Sequence, residues 1–179
     1  MIRRNLLLPL LVVLITAGTL WAQEIPPLQA DRPDQTETPA IVPRGYLQAE
    51  NGFSFERSDQ GISSFLHPAI LWKYGVHPRW ELRLTTEFAT EEHPSGKQTG
   101  IYPLSFGIKT NLLEEKGIIP QTSFIGHFTT SGLGSGSFRT EHPAPAFRFT
   151  MQHTLSQRLS LGYNLGAEWD GESPVPVLY

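Results

Sequence analysis

The chain has 179 residues, 14 of them basic and 17 acidic, for a net charge of −3, and it contains no cysteine. The missing cysteine excludes disulfides, thiolate zinc sites and cysteine nucleophiles, and an acidic chain without a basic patch is not expected to bind nucleic acid. Charged residues make up only 17% of the chain, against about 25% in a usual soluble domain. The length suits one domain, and 16 glycines with 15 prolines predict many turns and no long helices.

The N-terminus has the three parts of a secretory signal peptide. Arg3 and Arg4 supply positive charge, the run Leu6–Ile15 is apolar, and Ala22 precedes the expected cleavage point. The apolar run is short for a transmembrane anchor, the alternative, which needs about 20 residues. We therefore predict a signal peptide at residues 1–22 and a mature chain with 14 − 2 = 12 basic and 17 acidic residues.

Residues 23–44 are polar and rich in proline, which opposes both helix and interior strand. This composition predicts an extended periplasmic lead-in before the first strand. Its most polar part either folds up into a barrel lumen as a plug, docks on a periplasmic partner, or remains a solvated tail, and all three readings stay open. The charged residues of this part are Asp31, Arg32, Asp34 and Glu37.

From residue 45 onward, apolar and polar side chains alternate with a period of two, as in strands with one apolar and one polar face. Most of the segments approach the length of about 9–11 residues that a tilted strand needs to cross a bilayer. Seven segments predict full strands, and an eighth begins near the C-terminus: Leu47–Glu56, Leu66–Val76, Trp80–Phe88, Tyr102–Leu112, Ile118–Thr129, Phe147–Leu155, Leu159–Trp169 and Val175–Tyr179.

The predicted connections alternate between long and short, as in outer-membrane barrels with short periplasmic turns and longer external loops. Residues 45–179 are therefore predicted to form an all-β, antiparallel, up-and-down transmembrane β-barrel with its N-terminus in the periplasm. A soluble lipocalin-like barrel with its apolar face inward is the alternative, since alternation alone does not separate the two. Long connections are expected at Arg57–Ser64, Glu91–Gly100 and Ser131–His142, and short ones at His77–Arg79, Glu114–Gly117 and Ser156–Arg158.

Polar residues on the predicted strands share one face, which would point into the lumen of a membrane barrel. Charges of mixed sign there either pair with one another and block the lumen or line a wet channel, and both possibilities remain open. Arg83 with Glu81 and Glu87 is the densest group, since residues two apart on a strand share a face. The candidate lumen-facing residues are Glu50, Lys73, Glu81, Arg83, Glu87, Lys109, Arg148, Gln152 and Glu168.

No catalytic or metal-binding pattern stands out. The six histidines lack the close spacing of a metal site, so we expect no metal and no cofactor. A lipolytic barrel would need a serine, a histidine and an orienting group, for which Ser123, His127 and Asn164 are the candidates. No Gly-x-Ser-x-Gly motif occurs, so the sequence predicts a protein that is not an enzyme, with a membrane hydrolase as the less favoured alternative.

Several segments resemble the MetA-pathway of phenol degradation family, bacterial outer-membrane proteins often called transporters. They are Ala30–Glu37, Val42–Gly45, Lys73–Val76, Trp80–Leu84, Pro103–Lys109 and Gly162–Gly166, and the Asp-Arg-Pro-Asp-Gln sequence within the first is the most specific. The resemblance covers most of the chain after the signal and implies a β-barrel that takes up small molecules, with aromatic compounds as candidates. Members of such a family usually continue for several more strands, so the chain is expected to be a fragment that stops at Tyr179 within a strand.

The combined expectation is a passive channel or transporter in the bacterial outer membrane. Its partners would be outer-membrane lipid, a small-molecule solute and the barrel-assembly machinery during biogenesis. A soluble periplasmic ligand-binding barrel and an outer-membrane lipolytic enzyme are the alternatives.

Overall fold

The computed structural model describes residues 28–31, 36–58 and 61–179. The regular structure in these residues is almost entirely β-strand, with one turn of 3-10 helix at Gly136–Phe138. The predicted signal peptide, Arg32 and Asp34 lie outside the described residues. The strands are β1 (Leu47–Arg57), β2 (Ser63–His77), β3 (Trp80–His93), β4 (Gly96–Ile101), β5 (Ser105–Leu113), β6 (Gln121–Thr129), β7 (Ala144–Ser156), β8 (Leu159–Glu168) and β9 (Val177–Leu178).

The strands form one antiparallel sheet in which neighbours along the chain are mostly neighbours in space. The exception is β3, whose Trp80–Thr85 half pairs with β5 and whose Phe88–His93 half pairs with β4. β4 and β5 therefore act as one interrupted strand. The sheet curls into a half-barrel with β1 and β9 at its edges, and the predicted all-β antiparallel architecture is confirmed.

The buried charged side chains lie on the concave face of the half-barrel, and most of the exposed large apolar side chains lie on the convex face. On the concave face, Lys73, Glu81, Arg83 and Lys109 are each at most 3% exposed. A soluble barrel is arranged the other way, with apolar side chains inside. The convex face carries a band of exposed apolar side chains that includes Phe55, Phe65, Tyr74, Leu82, Phe88, Phe106, Ile108, Phe128, Leu161 and Leu165.

The prediction of a polar loop at Glu91–Gly100 is wrong. β3 continues to His93, and β4 begins at Gly96 after a tight turn. Neither face of this hairpin is apolar, so it lacks the alternation by which a strand is recognised in a sequence. Main-chain pairing and polar contacts across the strands hold it together, such as the 3.0 Å contact between the Thr90 and Thr99 hydroxyls.

Two strand ends also differ from the prediction. β6 begins at Gln121, because Ile118 is 93% exposed and Pro120 has no N–H to donate to a neighbouring strand. The connection between β1 and β2 covers only residues 58–62, so the long loop expected there is short. The long loop expected after β6 is present and spans residues 130–143, opposite the tight turns at 78–79 and 157–158.

No helix in the described part of the chain has the length and apolar composition needed to cross a membrane.

Candidate functional site

The lead-in crosses the concave face of the half-barrel. The Val42 N–H donates to Glu81 Oε2 on β3 at 2.6 Å. Three residues earlier in the lead-in, the fully buried Pro39 accepts a hydrogen bond at its carbonyl oxygen from the Ser123 hydroxyl on β6, also at 2.6 Å. Because these bonds lead from β3 to β6, the segment lies across the sheet instead of following one strand.

Asp31 is the most deeply buried of the charged lead-in residues that the structure describes, with its side chain only 1% exposed. Its carboxylate lies 3.0 Å from Lys73 Nζ and 3.2 Å from Lys109 Nζ. Arg83 Nη2 lies 3.4 Å away, and the Asp31 N–H donates to Glu50 Oε2 at 2.9 Å. The three cations come from β2, β3 and β5, which are adjacent in the sheet. A carboxylate buried this far is stable only when it is paired and hydrogen-bonded in this way.

Glu37 is the second lead-in carboxylate on the concave face, and two arginines share it. Arg83 Nη1 donates to Glu37 Oε2 at 2.6 Å, and Arg148 Nη1 on β7 lies 3.6 Å from Oε1. The Asn164 side-chain amide on β8 lies against the main chain of Glu37; with its oxygen toward the Glu37 N–H, it accepts from that N–H at 3.0 Å and donates to the Glu37 carbonyl at 3.2 Å. Arg83 therefore joins Asp31 and Glu37, one through each Nη atom.

The wall of the half-barrel supplies carboxylates of its own. Glu50 Oε1 lies 2.5 Å from Lys73 Nζ, and Glu81 is the direct cross-strand neighbour of Lys109. Among the described residues, the charges where the lead-in meets the wall sum to zero: cations Lys73, Arg83, Lys109 and Arg148, wall carboxylates Glu50 and Glu81, and lead-in carboxylates Asp31 and Glu37, so 4 − 2 − 2 = 0. Without the lead-in, this part of the wall would carry an excess of two positive charges.

Close approach of the lead-in to β2 depends on Gly75. A Cβ atom at this position would overlap the carbonyl oxygens of Val42 and Pro43. We expect Gly75→Ala to push the lead-in off β2 and to lower the free energy of unfolding by about 1–3 kcal/mol, as overpacking does. Gly52→Ala is the matched control, because the nearest atom to its added Cβ is the Ala69 oxygen at 3.8 Å. Urea unfolding compares the two, and equal midpoints would contradict the expectation.

The ionised form of Asp31 is strongly favoured when the lead-in is docked. Burial raises the pKa of Asp31, but the charges of Lys109, Arg83 and Lys73 outweigh burial and hold the pKa well below its ordinary value of 3.8. A carboxylate whose pKa falls on docking stabilises the docked state fully at a pH above its free pKa. That contribution is lost as the pH falls from the free pKa toward the docked pKa. Docking should therefore persist through neutral and mildly acidic pH.

A thiol probe tests this pH dependence, because the chain has no cysteine and Pro39 is fully buried. In the Pro39→Cys variant, we expect protection from 4,4′-dithiodipyridine between about pH 8 and pH 5, and reaction only below about pH 4. A cysteine at the exposed Ser95 gives the rate of an unprotected thiol at each pH. Protection lost between about pH 7 and pH 5 would show that histidines, not Asp31, control docking.

The remaining candidate lumen residues also lie on the concave face. Glu87 is half-buried on β3 on the same face as Arg83, and Gln152 is half-buried on β7 opposite Gln121. Glu168 ends β8 and lines an open cavity of about 770 Å³ that borders the lead-in. The candidate lumen-facing residues predicted from the sequence therefore fall into two groups that differ in environment. Glu50, Lys73, Glu81, Arg83 and Lys109 are buried against the lead-in, and the others lie around it.

Sequence reasoning missed the wall residues that hold the lead-in through its main chain. The sequence predicts for Ser123 and Asn164 only a place in a hydrolase, whereas both contact the main chain of the lead-in. It also does not predict the contact of Tyr179 with Arg148, in which the ring centroid lies 4.2 Å from the guanidinium carbon. Their polar character on the lumen face was the available signal. Pro39 offered none, because a carbonyl oxygen is present at every position of a chain.

A protein-family model matches most of the chain. The model described as Putative MetA-pathway of phenol degradation matches residues 30–175, a range that includes Asp31, Glu37 and β1–β8. Neither a curated protein nor a solved structure matches the chain. Since the matched range covers most of the sequence, from the lead-in to the end of β8, the chain belongs to the Putative MetA-pathway of phenol degradation family.

Proposed function

We propose that the protein is an outer-membrane channel or passive transporter for small molecules, and that the lead-in acts as a plug in its lumen. The observation that carries this proposal is the orientation of the sheet, with buried charges on its concave face and exposed apolar side chains on its convex face. An apolar band of this extent is a liability in water and is stabilised in lipid. Outer-membrane lipid is therefore the partner of the convex face.

Strand length and aromatic placement support a membrane location. β1, β7 and β8 have 11, 13 and 10 residues, and a tilted strand needs about 9–11 to cross a bilayer. Tyr74 and Trp80 flank the short turn after β2, and Phe128 lies at the opposite end of the sheet, beside the long loop. Bilayers favour aromatic side chains at both interfaces. The signal-like residues 1–22 fit export, after which insertion would require the barrel-assembly machinery.

The lumen chemistry supports small polar or charged solutes. Its wall carries both signs of charge next to an open cavity of about 770 Å³, within the range of small-molecule sites of about 300–1,000 Å³. Aromatic solutes are candidates because of the phenol degradation in the family's description. The proposal includes no cofactor and no nucleic-acid partner.

The geometry of the hydrolase candidates supports a function other than catalysis. Ser123 and His127 lie four residues apart on β6, about 13 Å along the strand, too far for a hydrogen bond between their side chains. The Ser123 hydroxyl instead donates to Pro39, and Asn164 pairs with Glu37. Ser123 and Asn164 therefore hold the lead-in, and the three candidates do not form a catalytic triad.

Membrane fractionation and liposome swelling with the full-length gene product test the proposal. We expect the protein in the outer-membrane fraction, soluble only in detergent, and we expect it to admit uncharged sugars into liposomes slowly. A variant lacking residues 28–40 should admit them several-fold faster, because the plug is gone. Extraction in plain buffer would refute the membrane location. A variant no more permeable than protein-free liposomes would refute the channel.

A further inference from the structure

The open cavity beside the lead-in is lined by both charged and apolar side chains. Arg83 and Arg148 line it together with Glu37. Leu66, Ala69 and Leu71 are among the apolar lining residues. Two guanidinium groups in a cavity that also has apolar lining residues suit a molecule with an apolar body and a negatively charged group.

Glu37 is the lead-in carboxylate that a solute can replace. Its side chain is 15% exposed and it lies on the cavity wall, while the Asp31 side chain is 1% exposed beneath three cations. Its contact with Arg148 is also long, at 3.6 Å, and the Arg148 side chain is 20% exposed. A carboxylate that enters the cavity therefore reaches Arg148 first and Arg83 next, at the positions where Glu37 now lies.

Arg83 and Arg148 are the two cationic side chains among the described residues that line the cavity, so one added carboxylate that displaces Glu37 finds a pair of guanidinium groups and a second finds none. Asp31 and Glu168 line the cavity in addition to Glu37, and His127 lies on the same wall. A second carboxylate on the solute would meet Asp31 or Glu168 and be repelled, since like charges at short range are unfavourable. The ring of Tyr179, which already stacks with the Arg148 guanidinium, offers a flat face to a planar solute.

On the basis of the proposed function, we infer that this cavity binds a small organic monocarboxylate, which takes the place of Glu37 between Arg83 and Arg148. Displacing Glu37 also frees its main chain from Asn164 and loosens Thr38, whose N–H donates to Asp31 Oδ1 at 3.0 Å. The solute therefore weakens the hold of the wall on the lead-in. When the solute carboxylate replaces the Glu37 carboxylate, the solute enters the site and the plug is released in the same step.

Calorimetric titration of the full-length protein in detergent with benzoate and with benzamide tests the site. Benzamide has the same shape without the charge, so we expect benzoate to bind at least about tenfold more tightly, as a charge-assisted pair requires. Glu37→Gln removes the competing carboxylate and should tighten benzoate binding by about tenfold. Arg148→Gln should weaken it by about tenfold.

The opposite signs of the two variants separate a binding site from a folding defect, because a misfolded protein does not bind more tightly. Glu92→Gln, in an exposed pair with Lys97, is the control for a lost surface carboxylate and should leave binding unchanged. Equal affinities for benzoate and benzamide, or benzoate binding that neither variant changes, would overturn the inference. Binding in detergent does not depend on permeation, so failed sugar flux with intact benzoate binding would refute the channel and leave the site standing.

Discussion

Replacement of Asp31 by alanine is expected to release the lead-in from the wall and to leave three buried cations without their shared carboxylate. Breaking a buried ion pair by removing one partner typically costs about 3–5 kcal/mol, which corresponds to a factor of about 100 to above 1,000 in an equilibrium. A cysteine introduced at position 39, fully buried in the docked state, should therefore react with a thiol reagent at least about 100-fold faster in the Asp31→Ala background.

Two further variants test whether the negative charge of Asp31 is what holds the lead-in on the wall. Asp31→Asn keeps the size of the side chain and an oxygen that accepts from Thr38, but it removes the charge. If the ion pairs hold the lead-in, Asp31→Asn should release it nearly as well as Asp31→Ala does. Glu92→Ala removes a carboxylate whose side chain is 61% exposed, and exposed pairs contribute at most about 1 kcal/mol. If the thiol at position 39 reacted in the Asp31→Ala background within about twofold of its rate in the parent Pro39→Cys protein, a docking role for Asp31 would be contradicted.

Loss of Arg83 should have an effect of similar size on the stability of the whole domain. Arg83→Met fills the same space but leaves Glu37 without its 2.6 Å partner and Asp31 with one cation fewer. We expect the free energy of unfolding in detergent to fall by about 3–5 kcal/mol. Arg83→Lys should recover only part of it, because one ammonium group does not reproduce the two-pronged contact with both carboxylates.

A double-mutant cycle measures the interaction energy between Asp31 and Arg83 apart from their contacts with other residues. If Asp31 and Arg83 act through one network, the Asp31→Ala/Arg83→Met double variant should lose less stability than the sum of the two single losses. Urea unfolding monitored by heat-modifiable gel migration measures all four proteins under the same conditions. Strictly additive losses would show that the two residues stabilise the protein independently, against the network described for the wall.

The fold was accessible from the sequence wherever one face of a strand differs from the other. Trp80–Phe88 and Leu159–Glu168 alternate strictly, and both are strands with apolar side chains on the convex face. The hairpin at Glu91–Gly100 was missed because both of its faces are polar. A strand of that kind depends on main-chain pairing, which leaves no pattern in side-chain chemistry. The direction of the sheet's curl, which turns the polar face inward, also required the structure.

Only the wall residues of the candidate site could be predicted from the sequence. The period-two pattern predicts that Lys73, Arg83 and Lys109 share one polar face, and the strand register of the structure brings them together there. Whether Asp31 meets them could not be derived, because it and Lys109 are 78 residues apart and no local propensity acts over that separation. A plug and a solvated tail therefore looked alike in the sequence.

The separation between Asp31 and its cations also imposes an order on assembly. The lead-in precedes every strand in the chain, yet the pocket for Asp31 is complete only after β5 pairs with β3 and brings Lys109 beside Arg83. Contacts so distant along the chain form late, since the intervening loop must first be closed. The lead-in is thus synthesised before the described strands but completes its docking only after β5 has paired with β3. A protected residue 39 would then mark the molecules in which β1 to β6 are already in register.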